Sequence, residues 1–168
     1  PADVEGLTMR VLQSQIHVDL WDFLGANPTA IPITGAYTAL ETGVVDFMDM
    51  TKSGFHALKL YEVAPHLTET EHIWALGVLY FGNRFWESLS AEERRVFAEV
   101  AVEAADHFDT LAAAEQARAL EATLADGAEV VPTDPAVWRE AMGGFWQTYA
   151  DEVGGMERIR TIRETAGE

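Results

Sequence analysis

The sequence has no cysteine, and that absence excludes three kinds of chemistry at once. There can be no disulfide, no thiolate nucleophile and no thiolate-bound metal. Lack of cysteine also fits, without requiring, an exported bacterial protein. Cations are scarce: 11 Lys and Arg stand against 28 Asp and Glu, a formal net charge of −17. Nucleic-acid binding draws its affinity from Lys and Arg on phosphates, so no nucleic-acid partner is expected. An anionic membrane surface repels the chain for the same reason. No apolar run reaches the roughly 18 residues that a membrane-spanning helix needs. There is no signal peptide, and the first residue is Pro rather than Met. The expectation is a processed or cut piece, with any targeting segment on an end that is absent. Known motifs are missing too: no GxGxxG, P-loop, GxSxG or HExxH occurs, and the five histidines at 17, 56, 66, 72 and 107 are scattered. No cofactor or metal is called for. Enzymes need convergent titratable groups, and none is visible, so an enzyme is not expected.

What is present suffices for a folded domain. Hydrophobic residues fill 48 % of the 168 positions, enough for one core. Residues 7–13 read as a strand. Ser14 can cap a helix through Leu24, with Ile16, Leu20, Phe23 and Leu24 on one face, and Gly25 ends it. "NPTAIPI" (27–33) is extended, because Pro28 and Pro32 exclude a helix interior. Thr34 caps a helix over 35–42, closed by Gly43, and "VVDFMDM" (44–50) is a strand. This alternation is that of an α/β unit with parallel strands. A helix near 52–63 ends at Pro65. Residues 66–82, "HLTETEHIWALGVLYFG", alternate polar and apolar positions and then turn apolar, which predicts one long strand passing between two lobes. After a helical turn at 83–87, Ser90 and Glu93 form a capping box. An Ala-rich helix then runs over 91–124, longer than the roughly 25 residues usual in a compact domain. "AEVVP" is a short strand, Asp134-Pro135 starts a helix over 136–149, and Gly154-Gly155 sets off a short terminal helix.

Arg10 lies inside the apolar run from Leu7 to Leu12. A desolvated guanidinium without a partner costs several kcal/mol, so Arg10 needs one. Two readings are open. It pairs with one of the many acids, or it takes an anionic ligand bidentately at the carboxyl end of a parallel strand, where open α/β sheets bind ligands. Asp46 and Asp49 lie three apart on the predicted strand and point to opposite faces, so they cannot form an acid/base pair. Trp21, Phe23, Phe97 and Trp138 sit at helical spacing and read as core; Trp74 and Trp86 are ambiguous.

Four stretches together carry a resemblance: "GLTMRVLQS", "LGANPTAIPITGAYTALETGVVD", "KLYEVAPHLTETEH" and "FWESLSAEERRVFAEVAVEAA". In order and at matching spacing, they closely resemble the substrate-binding proteins of TRAP transporters, the DctP-like family, over essentially the whole chain. The resemblance implies an α/β fold, a periplasmic binding protein-like lobe with a mostly parallel sheet, plus a long lobe-spanning helix matched by 91–124. It implies a periplasmic receptor, not an enzyme. Two lobes close on a small organic acid and deliver it to a membrane permease driven by an ion gradient, with no membrane insertion of the receptor itself. It assigns residues 1–75 and 116–168 to the second lobe, and 76–115 to a first lobe whose N-terminal bulk this chain lacks. It implies that an arginine at the position of Arg10 holds the ligand carboxylate, with Gln13, Ile33, Met50 and His72 completing the expected ligand-binding set. The sequence departs from the family pattern nearby. Met50 stands where the family has a ligand-binding Asn, Ile33 where an aromatic often precedes the second helix, and Leu12 where Pro follows the arginine. The expected pocket wall is apolar, which suits a monocarboxylate with an apolar or aromatic body. Two other readings stay open: an α/β enzyme using His72 with Asp46 or Asp49, and an interaction fragment that dimerises through apolar surface left bare by the missing half.

Overall fold

The computed structural model describes residues 1–73 and 76–165. Its organising element is β1 (Thr8–Val11), the central strand of a three-stranded parallel sheet. β2 (Asn27–Ala30) lies on one side and β3 (Phe47–Met48) on the other. The register sets Arg10 opposite Thr29 and opposite Met48. Pro28 is accepted because β2 is an edge strand and its missing N–H faces no neighbour. Between the strands run α1 (Gln15–Phe23) and α2 (Ala36–Glu41). The chain goes from β1 to β2 on one side and then crosses to the far side for β3, so the direction of winding reverses at β1. All three strands are parallel, and their carboxyl ends therefore share one edge of the sheet.

A second parallel pair, β4 (His66–Thr68) with β5 (Glu129–Val131), lies in the same part of the molecule. Two clusters of buried side chains hold these layers together. One joins Met9 and Val11 of β1 to Leu20 and Trp21 of α1 and to Trp138, Met142 and Phe145. The last three come from α6 (Pro135–Ala141), its end, and α7 (Phe145–Thr148). The other cluster gathers Leu40, Val45, Phe55 and Leu60 around α2 and α3 (Lys52–Ala57).

Next come α4 (Asn83–Ser88) and α5 (Ala91–Ala125), a 35-residue helix about 50 Å long. Its start is a complete capping box: the Glu93 N–H donates to Ser90 Oγ, and the Ser90 N–H donates to Glu93 Oε2 at 2.7 Å. Its far end rests on α3, where Gln116 Nε2 donates to Ser53 Oγ at 2.8 Å. Of its 35 residues only Ala119 and Thr123 are buried. The described chain ends in α8 (Met156–Thr165). Among the described residues, no helix is long and apolar enough to cross a membrane.

Several expectations need correction. The long strand over 66–82 is a strand only at His66–Thr68; residues 69–73 and 76–82 have no regular structure, and 74–75, including Trp74, lie outside the described residues. β4 pairs with β5 for three residues, after which no strand of the described chain runs beside it. The strand at 44–50 shrinks to two residues, because the Val44 and Val45 N–H groups donate to Ala39 O and belong to the end of α2. The helix at 52–63 stops after Ala57, and Lys59 turns the chain with φ 52°. The helix at 136–149 breaks at Gly143-Gly144, where glycine is a poor helix former and a Cβ on Gly144 would stand 3.2 Å from the Phe23 ring. Ser14 occupies the cap position of α1 without a side-chain bond, and Gly35 rather than Thr34 precedes α2. The buried stripe of α1 is His17, Leu20 and Trp21, one step round from the predicted face; Ile16 and Phe23 are exposed. Phe97 is only half-buried, in a small aromatic group with Phe81 and Phe85.

Candidate functional site

The carboxyl edge of the β2-β1-β3 sheet is the place to build from. A parallel sheet whose winding reverses at its central strand splays its connecting loops apart there and leaves a crevice for ligands. Arg10 sits at that edge. It is the second-last residue of β1 and only 2 % exposed. Its Nε donates to Ile31 O at 2.8 Å, which ties it to the loop after β2. Among the described residues, no carboxylate forms an ion pair with its guanidinium. Burial lowers its pKa from the ordinary value and the charge of Asp49 acts against that; an arginine stays protonated regardless.

Asp49 follows Met48, the residue in register with Arg10. One of its oxygens, Oδ2, meets two imidazoles, His17 Nε2 at 2.6 Å and His72 Nε2 at 3.0 Å. The Leu12 N–H donates to His17 Nδ1 at 2.9 Å. That nitrogen therefore carries no proton, and Nε2 keeps the proton it gives to Asp49. Trp21 Nε1 lies 3.1 Å from the same nitrogen. His72 Nδ1 is 2.6 Å from Thr70 Oγ1, and its ring packs edge-on against Trp21 with centroids 5.2 Å apart. Burial works to raise the Asp49 pKa, but the hydrogen bonds with His17 and His72 outweigh it and hold the carboxyl well below the usual carboxylate range. Asp49 is thus an anion at any physiological pH.

The other predicted residues lie around this hub. Gln13 is exposed just after β1, and Ile33 opens the 3-10 turn before α2. Met50 is exposed ahead of α3 and leans over Gly54. Asp49, Met50 and His72 share a cavity of about 610 Å³ that also touches Phe47, Thr70 and Trp138; Arg10, Gln13 and Ile33 are outside its lining. Asp46 goes elsewhere, accepting the Thr8 N–H at 2.7 Å and pinning the start of β1. The two aspartates therefore do not work together. Sequence reasoning missed His17 and did not see Asp49 as its partner. The signal available was His17 at spacing 3 and 4 from Leu20 and Trp21, which places an imidazole on the covered face of α1.

The arrangement offers a buried cation beside a fixed anion, at the edge where ligands sit. Thr70, His72 and Asp49 also line up as hydroxyl, imidazole and carboxylate, which is the form the enzyme reading takes here. The comparisons decide against that reading. The family of bacterial extracellular solute-binding proteins, family 7 (DctP), matches residues 1–152. The chain belongs to this family. The C4-dicarboxylate-binding periplasmic protein DctP of Rhodobacter capsulatus is 28 % identical over 172 residues, which cover 100 % of this chain and 51 % of that protein. A TRAP periplasmic solute-binding protein of Bradyrhizobium sp., solved with galacturonate, is 31 % identical, with a TM-score of 0.81 over 89 % of this chain and 50 % of its own. One from Shewanella oneidensis, solved with succinate, is also 31 % identical, with a TM-score of 0.78 over 92 % and 52 %. The chain spans about half the length of the curated relatives it matches. These relatives are periplasmic binding proteins, not enzymes, and the fold they share is the α/β architecture described above.

Proposed function

We propose that this DctP-family chain is part of the solute receptor of a TRAP transporter, which holds an organic acid by its carboxylate on Arg10 and passes it to the membrane permease. The single observation that carries the reading is the state of Arg10. It is a covered guanidinium at the carboxyl edge, fixed through Nε to Ile31 O. Among the described residues it has no ion pair with a carboxylate. Its planar fork matches a carboxylate with two parallel hydrogen bonds, which a lysine cannot do. Relatives named or solved with C4-dicarboxylates, galacturonate and succinate have a carboxylate in common, and that shared group is what Arg10 would recognise. Gln13, Ile33, Met50 and His72 would surround the rest of the ligand. In this reading residues 1–75 and 116–168 form the second lobe. Residues 76–115 belong to the first, and the ligand lies in the cleft between them. Exposed apolar side chains along 76–111 support that division. The test is mass spectrometry of small molecules released from the intact receptor purified without added ligand. A carboxylic acid in stoichiometric amount is the expected result. A neutral solute, or an acid recovered chemically altered by the protein, overturns the reading.

A further inference from the structure

His17 is a buried imidazole with both ring nitrogens engaged, and the anchoring role of Arg10 makes no use of it. We infer that His17 is a positioning residue for the ligand carboxylate: its ring ties the loop that follows Arg10 to the loop after β3, so that an acid meets an edge already in place. The inference rests on Arg10 holding the ligand, as proposed above.

The first link runs to the end of β1. Leu12 lies just past the strand, two residues beyond Arg10, and its N–H donates to His17 Nδ1 at 2.9 Å. Its carbonyl accepts the Ser14 N–H at 2.8 Å, and Gln13 is carried in the turn between. His17 itself stands in the first turn of α1, where its backbone N–H donates to Ser14 O at 3.1 Å. A side chain thus closes the segment from Leu12 to His17 on itself. The second link crosses the sheet. With Nδ1 accepting, the ring proton is on Nε2, and Nε2 meets Asp49 Oδ2 at 2.6 Å. Asp49 follows Met48, the residue in register with Arg10. The loop after β2 is tied separately, by Arg10 Nε donating to Ile31 O at 2.8 Å. Arg10 and His17 between them therefore join all three loops at the carboxyl edge. Packing alone does not call for an imidazole here. A leucine would fill the same covered stripe of α1 beside Leu20 and Trp21, but it would leave the Leu12 N–H and Asp49 without this partner. Ordering loops and side chains on binding costs affinity, and links made before the ligand arrives remove part of that cost.

The experiment is calorimetric titration of the intact receptor with succinate and with galacturonate, beside thermal melts, on wild type, His17→Leu, His17→Asn and His17→Gln. His17→Leu keeps an apolar filling and loses both links. It should bind roughly tenfold more weakly than wild type while fully folded at the titration temperature. Asn offers an acceptor near the place of Nδ1, and Gln a donor near the place of Nε2, so each keeps one link and should fall between. Nitrogen NMR of the imidazole in wild type should read His17 as the neutral ring with its proton on Nε2. Unchanged affinity across the folded variants, with stability alone lowered, makes His17 a core residue and overturns the inference; so does a proton on Nδ1. If His17→Leu does not fold, the two half-linked variants decide on the same terms. Arg10→Ala separates the two claims. If it abolishes binding while the His17 variants bind as wild type does, the anchor stands and this inference falls. If Arg10→Ala binds as wild type does, the anchor falls and the inference with it. Wild type that takes neither probe also overturns the inference, since an edge held ready for a carboxylate should accept one of them.

Discussion

Leu, Val and aromatic residues occur both in the sheet region and along 76–111, and the two regions treat them oppositely. Around the sheets, Met9, Val11, Val45, Leu60 and Met142 are almost wholly covered. Along the other stretch, Leu76 is 83 % and Tyr80 84 % exposed, and Val96, Val100, Val102, Phe108 and Leu111 are open to solvent. Only a small group, Phe81, Phe85, Trp86 and Phe97, packs on itself there, with Arg94 over the Trp86 ring at 5.9 Å. The difference teaches which kind of structure needs company. α5 forms regardless, because a helix satisfies its backbone from within, and the capping box and alanines favour it. An extended segment has no such independence. Without a neighbouring strand, 76–82 makes no ladder, whatever its alternation suggests.

The contrast can be broken first by truncating covered and bare side chains in this chain. Leu60→Ala or Met142→Ala should lower stability by about 2–5 kcal/mol in a urea melt, whereas Val100→Ala or Leu111→Ala should stay within about 0.5 kcal/mol. A cost at Leu111 like that at Leu60 would mean α5 has a covered face after all. The second test concerns the charge inside the sheet region. Asp49 has a folded pKa below its unfolded one, so it stabilises the fold above the unfolded carboxylate value of about 4 and that contribution is lost as pH falls below it. Asp49→Asn should cost about 1–3 kcal/mol at neutral pH and flatten the acid limb of a stability–pH profile; an unchanged limb would remove Asp49 as a structural anion.

A smaller effect sharpens the contrast from the other side. Ser90→Ala should cost about 1 kcal/mol of helix start. That loss should appear as faster amide exchange in the first turn of α5, with the global unfolding midpoint unmoved. A lower midpoint would couple 76–115 to the sheet region more tightly than its exposure implies. The smallest effect is alkaline. Tyr149 donates a short hydrogen bond to Asp19, which pushes its pKa up to about 12. The folded state thus keeps that proton longer than the unfolded chain does. The contribution is whole below about pH 10 and fades as pH rises through 12, and Tyr149→Phe should erase that part of an alkaline melt series.

The succession of three parallel strands was legible because its punctuation is local: Gly25, Pro28, Pro32 and Gly43 mark ends that hold whatever packs on them; their order in the sheet, β2-β1-β3, was not. The shortening of β3 was not legible, since it depends on where two N–H groups find an acceptor, Ala39 O. Arg10 stood out as a cation in an apolar strand, and the structure does cover it. His17 did not stand out, because the face of α1 was drawn through Ile16 and Phe23, and a one-step rotation hides an imidazole among apolar neighbours. Asp49 was set against Asp46 and, in the enzyme reading alone, beside His72; its other partner, His17, comes from α1, which spacing cannot reveal.

The central claim is that Arg10 carries the ligand. Calorimetric titration of the intact receptor with the acid it co-purifies with tests that most directly, comparing wild type, Arg10→Lys and Arg10→Ala. Losing one partner of a charged pair in a half-solvated cleft should cost about 2–4 kcal/mol, or roughly 30- to 1000-fold in affinity. Arg10→Ala should show that loss with its fold intact, and Arg10→Lys should fall between, keeping a charge but not the fork. Binding by Arg10→Ala as tight as wild type would contradict the account and leave Arg10 a structural charge.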